Sequence, residues 1–513
     1  MLKTRLLRRI VQTTAPRNDD NRINMKLKQL LLALDKKRFA DYPLDVDIAS
    51  ICCDSRQVSK DSLFVAVDGE KEKGSRFIDA AIAKGACCVI TSGGRPVTLE
   101  REVPVITFPD TRVAVARLAD EFFGHPSEKL KVIGVTGTNG KTTVTYLIKS
   151  IAEKAGFSSG LIGTINYLIK DKVIPAVNTT PGALQLQHLL KQMVDNGCKW
   201  CVMEASSHGI EQDRAANIDF TAAVFTNLTQ DHLDYHHNLE NYFLAKAKLF
   251  SGLSGGAYAI INADSPYSLR LKSLTKAKCI TYAIDSFADV KGSDLILSLE
   301  GSKFIVESES FKLKLKTGLI GRHNISNILA ACALAASQKI NPEAIKEGIE
   351  NFPAVRGRLE KVIQSEKFNV FIDYAHTPDA LENVLKILRQ WTPKKLILVF
   401  GCGGDRDRLK RPLMGSCAEK YADWTVITSD NPRGEVPSLI ADEIVKGMKG
   451  KNHKIVLSRK EAIDYALARA KAQDTVLVAG KGHENYQIFA DRKIDFDDRQ
   501  VVEEWLIKKQ ISI

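Results

Sequence analysis

Seven consecutive residues constrain this chain more than any others: Gly137, Thr138, Asn139, Gly140, Lys141, Thr142 and Thr143. They stand between a β-type run, KVIGVT, and the segment VTYLIKSIAEKAG, where Val144, Leu147, Ile148, Ile151 and Ala155 recur at helical spacing. Glycines between a strand and a helix let backbone N–H groups approach phosphates, and the helix N-terminus adds its positive pole. Lys141 offers a mobile positive charge to β- and γ-phosphates, and the Thr142 hydroxyl can hold Mg²⁺. Residue 135 is Val where the common loop has its first glycine, so the spacing departs from the usual pattern. A plain turn is the alternative. Strand, helix and GKTT together favour a nucleotide site.

The rest of the chain supplies the matching layers. Short β-type runs alternate with helical patterns, which predicts α/β architecture with mostly parallel sheets. Three series of runs are visible, with LFVAV and CCVIT in the first, KVIGVTG, CVMEAS, AAVFTN and YAIINAD in the second, and VFIDYA, LILVFG, TVITSD, IVLS and TVLVAG in the third. Between the last two, Asp294–Lys316 alternates with period two around an expected Gly301-Ser302 turn, which predicts a small antiparallel sheet with one wet face. Pro353 and Gly357 mark a hinge. Three domains are therefore expected, over residues 25–111, 112–354 and 355–513, after an extension at 1–24. That extension carries Lys3, Arg5, Arg8, Arg9 and Arg17 with no acid before Asp19. A transit peptide, a basic tail and an early start codon all fit it, and a disordered extension or misplaced start is favoured over a targeting signal.

Composition narrows the classes. At 513 residues the chain exceeds one ordinary core, and 44% hydrophobic with 26% charged residues is globular composition. No apolar run reaches the ~18 residues a membrane span needs. The net charge of +12 favours anionic ligands, yet the basic residues are scattered among acids, so no nucleic-acid face is expected. Ten cysteines in no disulfide-like spacing fit a reducing cytoplasm. Cys198 and Cys201 form a C-x-x-C that enters a β-run, so two packed thiols are expected rather than redox chemistry.

Glu204 ends a β-run, where parallel sheets place their ligands, and a carboxylate there can complete a Mg²⁺ site. Asp231, His232, Asp234, His236 and His237 follow the next run. A zinc cluster is disfavoured without nearby cysteines, and a polar helix cap with solvated histidines is the plain reading. Periodicity does not separate Lys246 from Lys248; either reads as a solvated lysine.

TGTNGKTT, NTTP, MEASSHG, FTNLTQDHLDYH, YFLAK, GRHN, VRGRLE, DYAHTP, GCGGDRD, DNPR and GKGHE occur in an order that resembles the Mur ligase family. The resemblance covers nearly all of 25–513. It implies a small UDP-binding domain, a central ATPase domain and a Rossmann-like carboxyl domain, which together activate a carboxylate as an acyl phosphate and join it to an amine. It implies that Gly137, Thr138, Asn139, Gly140, Lys141, Thr142 and Thr143 hold ATP. Asn262 and His323 would lie toward the adenine. Arg358 and Asp373 would reach ATP from a carboxyl domain that closes. Thr142, Glu204, His232 and a CO₂-carbamylated Lys246 would bind Mg²⁺, with Lys141, Glu204, His232 and Lys246 as catalytic residues. For the UDP-muramoyl dipeptide it implies Cys53 and Ser55, Asn178, Thr179 and Thr180, Ser206, Gln212 and Arg214.

The resemblance points to meso-diaminopimelate as the amine. Asp430, Asn431, Pro432 and Arg433 follow a β-run, and Arg433 can grip the distal carboxylate while Asp430 and Asn431 take the ammonium. Arg406, Gly480 and Glu484 match further acceptor contacts. Such a site can reject an analogue lacking the charged group by ~10⁴. A turn before a helix is the local reading of DNPR. A lysine-adding or folylpolyglutamate-type relative, a non-catalytic plastid homologue and a nucleic-acid ATPase are the rival readings. A cytoplasmic monomer acting on small molecules is the expectation.

Overall fold

The computed structural model describes residues 24–41, 46–69, 72–93, 103–364 and 368–509. The expected extension lies outside these residues, apart from its last position. The chain divides into two compact units, one reaching to Lys291 with Ser308–Ser310 and Leu329–Gly348, the other holding the remainder.

In the first unit, α1 (Leu27–Leu34) buries Leu27, Leu30, Leu31 and Leu34, the spacing of one helix face. It packs with a four-stranded parallel sheet of β1 (Ser50–Cys52), β2 (Ser62–Ala66), β3 (Ala86–Thr91) and β4 (Val105–Thr107), in sequence order. Helix α2 (Thr111–Phe122) follows, its first turn capped by Asp110, whose carboxylate accepts from the Arg112 and Val113 N–H groups.

The nucleotide-type sheet starts with β5 (Lys131–Thr136), from which the chain passes into α3 (Lys141–Lys154). The sheet continues through β6 (Ser159–Ile162), α4 (Ala183–Asp195), β7 (Trp200–Glu204), β8 (Phe220–Phe225), α5 (Leu239–Ser251), β9 (Tyr258–Asn262) and β10 (Lys278–Ala283). Its parallel strands lie in the order β6-β7-β5-β8-β9-β10. The chain leaves β5 toward one side and later returns to build the other. The crevice at the carboxyl end of β5 is therefore a topological switch point, where α/β sheets bind ligands. Val144, Leu147, Ile148 and Ile151 of α3 are each at most 2% exposed, each burial worth about 1.5–3 kcal/mol. Cys198 and Cys201 are buried free thiols, as the packing reading expects.

In the second unit, β11 (Gly301–Glu307) pairs antiparallel with β12 (Lys312–Thr317), and Phe311 and Leu315 are buried while Lys312 and Lys314 are exposed. The expected turn is displaced: Gly301 already belongs to β11, and the turn lies at Leu299 and Glu300. Gly301 is needed inside the strand, because at φ +134° a Cβ would come 2.1 Å from the Thr317 carbonyl oxygen. Helix α6 (Arg322–Ser337) continues the chain, its residues up to Ile328 in this unit and those from Leu329 in the first.

The carboxyl sheet comprises β13 (Glu360–Gln364), β14 (Phe368–Asp373), β15 (Leu396–Phe400), β16 (Trp424–Ile427), β17 (His453–Ile455) and β18 (Asp474–Ala479), ordered β13-β14-β18-β15-β16-β17. Only β13 runs antiparallel. Strand β18, last in sequence, slots between β14 and β15, so the loops leaving β14, β15, β16 and β18 converge at one edge. Among the described residues no helix is long and apolar enough to cross a membrane.

Candidate active site

The glycine loop is stitched to the end of β8. Thr138 N–H donates to the Asn227 carbonyl at 2.9 Å, Asn139 N–H to Asn227 Oδ1 at 2.9 Å, and the Thr226 hydroxyl to the Asn139 carbonyl at 2.6 Å. Gly137 has φ +151°, and a Cβ there would lie 1.8 Å from Thr226 Oγ1, so the close approach demands glycine. Gly140 sits at φ +87° and opens α3 with its N–H groups unobstructed by a side chain.

Two lysines meet on this loop. Lys141 Nζ donates to the Gly137 and Thr138 carbonyls at 2.9 and 2.8 Å, and Lys246 Nζ donates to the same Gly137 carbonyl at 2.9 Å. Lys246 is 1% exposed and lies 4.3 Å from the Tyr242 ring centroid, whereas the side chain of Lys248 is 54% exposed. Burial first, and the Lys141 charge second, hold Lys246 well below the usual lysine range, against a weaker pull from Asp231. The solvated-lysine reading therefore fails for Lys246. A signal for this was present: Tyr242, Lys246 and Phe250 are spaced four apart, so the lysine sits in the apolar stripe, while Lys248 turns to the other face.

Glu204 closes β7 opposite Val135 of β5 and is fully buried. Its Oε1 accepts from Thr164 N–H at 2.8 Å and its Oε2 from the Thr164 hydroxyl at 3.0 Å. Among the described residues no lysine or arginine is ion-paired with it. Asp231 Oδ1 accepts from His232 N–H at 2.8 Å, and His232 adopts φ +53°. His236 corrects the solvated-histidine reading: it is 3% exposed and its Nε2 lies 2.9 Å from the Ser207 hydroxyl. His237 is exposed, and the Asp234 side chain lies outside the described residues. Among the described residues no group of three His, Cys, Asp or Glu side chains forms a metal cluster. Asn262 spends its amide inside the protein, donating to the Thr226 carbonyl at 2.7 Å and accepting from Asp264 N–H at 3.0 Å.

A cleft of about 370 Å³ in the same unit is lined by Cys53, Gln212 and Arg214. Asp54, Arg112 and Asp213 line it too, which sequence reasoning did not single out. Ser55, Asn178, Thr179, Thr180 and Ser206 are not among its lining. The Thr180 hydroxyl donates to the Glu204 carbonyl at 2.8 Å, Thr179 meets the Thr164 hydroxyl at 3.0 Å, and Asn178 N–H donates to Tyr167 Oη at 3.1 Å. Ser206 caps the helix Ser207–Glu211. Thr179, through Thr164, and Thr180, which also meets Ser206, brace Glu204. Arg214 donates to the Thr180 carbonyl at 2.9 Å and to Gln212 Oε1, so its guanidinium is held in place at the cleft wall.

In the second unit, His323 opens the first turn of α6. The Asp373 carboxylate accepts from Leu359 and Ala375 N–H groups at 2.5 and 2.7 Å; burial raises its pKa and the nearby Arg358 opposes that. Arg406 and Arg433 flank Gly403: from the place a Cβ would occupy, Arg433 Nη1 is 2.9 Å away and Arg406 Cγ 3.8 Å. Arg433, at φ +51°, donates to the Gly404 carbonyl at 2.9 Å. Pro432 packs its carbonyl so close to Gly404 that a Cβ there would be 1.9 Å away. Gly480 at φ +109° leaves room for Asp430 Oδ2, which would lie 2.8 Å from a Cβ. Asp430, Asn431, Glu484 and the two arginines thus present both signs of charge around one loop cluster.

Two supports were not legible in the sequence. Arg411, fully buried, ties the Gly403 carbonyl at 3.1 Å to Glu435 and Glu443 at 2.9 and 2.7 Å. It holds the Glu435 carboxyl down at about 2. Lys481 is fully buried between Asn431 and Glu484. Both owe their places to partners far away in sequence.

Residues 47–123, 135–335 and 357–482 match the family profiles described as the Mur ligase family catalytic domain, the Mur ligase middle domain and the Mur ligase glutamate ligase domain. A protein of Clostridium tetani named UDP-N-acetylmuramoyl-L-alanyl-D-glutamate--2,6-diaminopimelate ligase is 43% identical over 94% of this chain and 99% of its own. One of the same name from Geobacillus thermodenitrificans is 45% identical over 89% of this chain and 94% of its own. A solved structure of that name is 33% identical, with a TM-score of 0.67, over 92% of this chain and 98% of that one.

Proposed function

The chain belongs to the Mur ligase family, a family of ATP-using, amide-forming enzymes with three-domain architecture, and from that premise we propose that it joins meso-diaminopimelate to UDP-N-acetylmuramoyl-L-alanyl-D-glutamate in peptidoglycan precursor synthesis. The observation that carries the reading is the meeting of Lys141 and the buried Lys246 on the Gly137 carbonyl, at the strand ends that also bear Glu204. The relatives' names narrow the substrates. The three domains are assigned to residues 25–111, 112–354 and 355–513.

The glycine loop takes the ATP phosphates, which draw Lys141 off its own loop carbonyls. A D-glutamyl carboxylate oxygen attacks the γ-phosphorus, ADP leaves, and an acyl phosphate forms. The amine then attacks the acyl carbon, loses a proton, and expels phosphate that keeps the carboxylate oxygen. Two anions must meet in the first step, so screening and positioning supply most of the rate.

The residues fit Mg²⁺. Glu204 is a buried carboxylate met only by the neutral donors of Thr164 among the described residues, and Thr142 and His232 complete the oxygen and nitrogen donors proposed around it. Bound Mg²⁺ would neutralise charge on the phosphates. Lys246 suits carbamylation: burial beside Lys141 favours loss of its proton, the neutral amine would attack CO₂ and lose a further proton, and the carbamate would supply a negative charge to help hold Mg²⁺. Asn262, His323, Arg358 and Asp373 are assigned to ATP. Cys53, Ser55, Asn178, Thr179, Thr180, Ser206, Gln212 and Arg214 are assigned to the UDP substrate. The enzyme is proposed to work as a cytoplasmic monomer.

The acyl-phosphate route is tested with substrate carrying ¹⁸O in the γ-carboxylate. One ¹⁸O atom per turnover is expected in inorganic phosphate by mass spectrometry; unlabelled phosphate at full turnover would exclude the route.

A further inference from the structure

Lys481 carries an observation that the acceptor reading leaves unused. It is 0% exposed, inside the loop that links β18 to the strand Tyr486–Ile488. Its Nζ donates to Glu484 Oε2 at 2.9 Å and to Asn431 Oδ1 at 3.3 Å, with the Tyr486 ring centroid 5.3 Å away. Asn431 Nδ2 donates to the same Glu484 Oε2 at 2.8 Å, and Asn431 Oδ1 also accepts from Ile488 N–H at 3.0 Å. The three side chains close a ring of hydrogen bonds.

That ring has a directional consequence. Two donors converge on Asn431 Oδ1, so the amide has one orientation, with Nδ2 turned to Glu484. Two donors likewise converge on Glu484 Oε2. Among the described residues no donor is bonded to Glu484 Oε1, and this carboxylate keeps 16% of its side chain exposed. A buried ammonium thus aims one carboxylate oxygen outward and freezes the amide beside it. Asp430, held against Gly480, stands on the same loop cluster.

We propose that Lys481 is a positioning residue for the amino-acid acceptor: without touching it, Lys481 fixes Asn431 and Glu484 so that Glu484 Oε1 and Asp430 face the acceptor's distal ammonium. The proposal rests on the reading of this cluster as the acceptor site. Charge-assisted hydrogen bonds hold such a network more firmly than neutral ones, and a partly satisfied buried network loses its single geometry.

The experiment measures steady-state kinetics of full-length Lys481→Met and Lys481→Gln against wild type, varying diaminopimelate, ATP and the UDP-muramoyl dipeptide in turn. The expected result is an acceptor KM raised about 10–100-fold, with both other KM values within about threefold. Lys481→Arg should recover part of the loss by restoring charge. The Lys481→Met and Asn431→Ala effects on acceptor KM should be less than additive, since both break one ring. An unchanged acceptor KM, equal losses for all three substrates, or additive effects in the pair would overturn the proposal. If Lys481→Met does not fold, Lys481→Gln, which keeps a donor in the slot, decides by the same criteria. Wild-type enzyme that ligates no amino acid would instead refute the acceptor reading itself, independently of any variant.

Discussion

Replacing Lys246 by alanine or methionine is expected to lower ligation at saturating substrates by about 10²–10³-fold or more, the loss typical of removing one group that stabilises transition-state charge. The physical basis is its burial. A lysine 1% exposed, beside a second lysine and sharing its carbonyl, holds its proton weakly. An amine in that state can add CO₂, and the proposed carbamate would place an anion where Mg²⁺ is proposed to sit. Methionine keeps most of the side-chain volume, so Lys246→Met separates the chemistry from packing. Both variants should lose turnover together while Lys246→Met melts near wild type. A carbamate signal from ¹³C-bicarbonate should appear by NMR in wild type and vanish in both. Wild-type rates in Lys246→Met would contradict the role.

The second large effect is expected at Arg433. Arg433→Ala should reduce kcat/KM for diaminopimelate by about 10²–10³-fold and leave the ATP KM within about threefold, because truncating one partner of a charged, desolvated contact costs about 2–5 kcal/mol. Arg433 reaches its place through an unusual backbone at φ +51° and a hydrogen bond to Gly404 in a loop that Arg411 anchors from below. Arg433→Lys is expected to fall between, since an ammonium cannot reproduce the planar fork. Equal losses toward ATP and acceptor would show that Arg433 serves the fold instead.

The loop at 137–143 was legible because its chemistry is local: glycines where backbone must approach closely, a strand before and a helix after. The parallel sheets were legible for the same reason, as were the exposed and buried faces of β12. Lys246 was misread as solvated. Its four-residue spacing from Tyr242 and Phe250 went unused, and a long side chain often snorkels out of an apolar stripe. The Gly137 carbonyl, 109 positions away in sequence, gives its ammonium a partner inside. His236 was misread because Ser207, which meets it, lies on another element. Gly301 looked like a turn residue, and a neighbouring strand's carbonyl is what requires it. Lys481 sits in the GKGHE motif, but nothing in the sequence showed it buried, and Arg411 had no signal, since Asn431 and Glu435 lie far from them in sequence. The motif order supplied by family resemblance named most candidate residues that periodicity could not distinguish.

The most direct test follows ADP release and amide formation by purified enzyme with ATP, Mg²⁺ and the UDP-muramoyl dipeptide, offering meso-diaminopimelate or L-lysine. One ADP per amide is expected, with turnover only when all three substrates are present and at least ~10³-fold preference for meso-diaminopimelate. Comparable turnover with L-lysine, or ATP hydrolysis indifferent to both amino acid and nucleotide peptide, would contradict it.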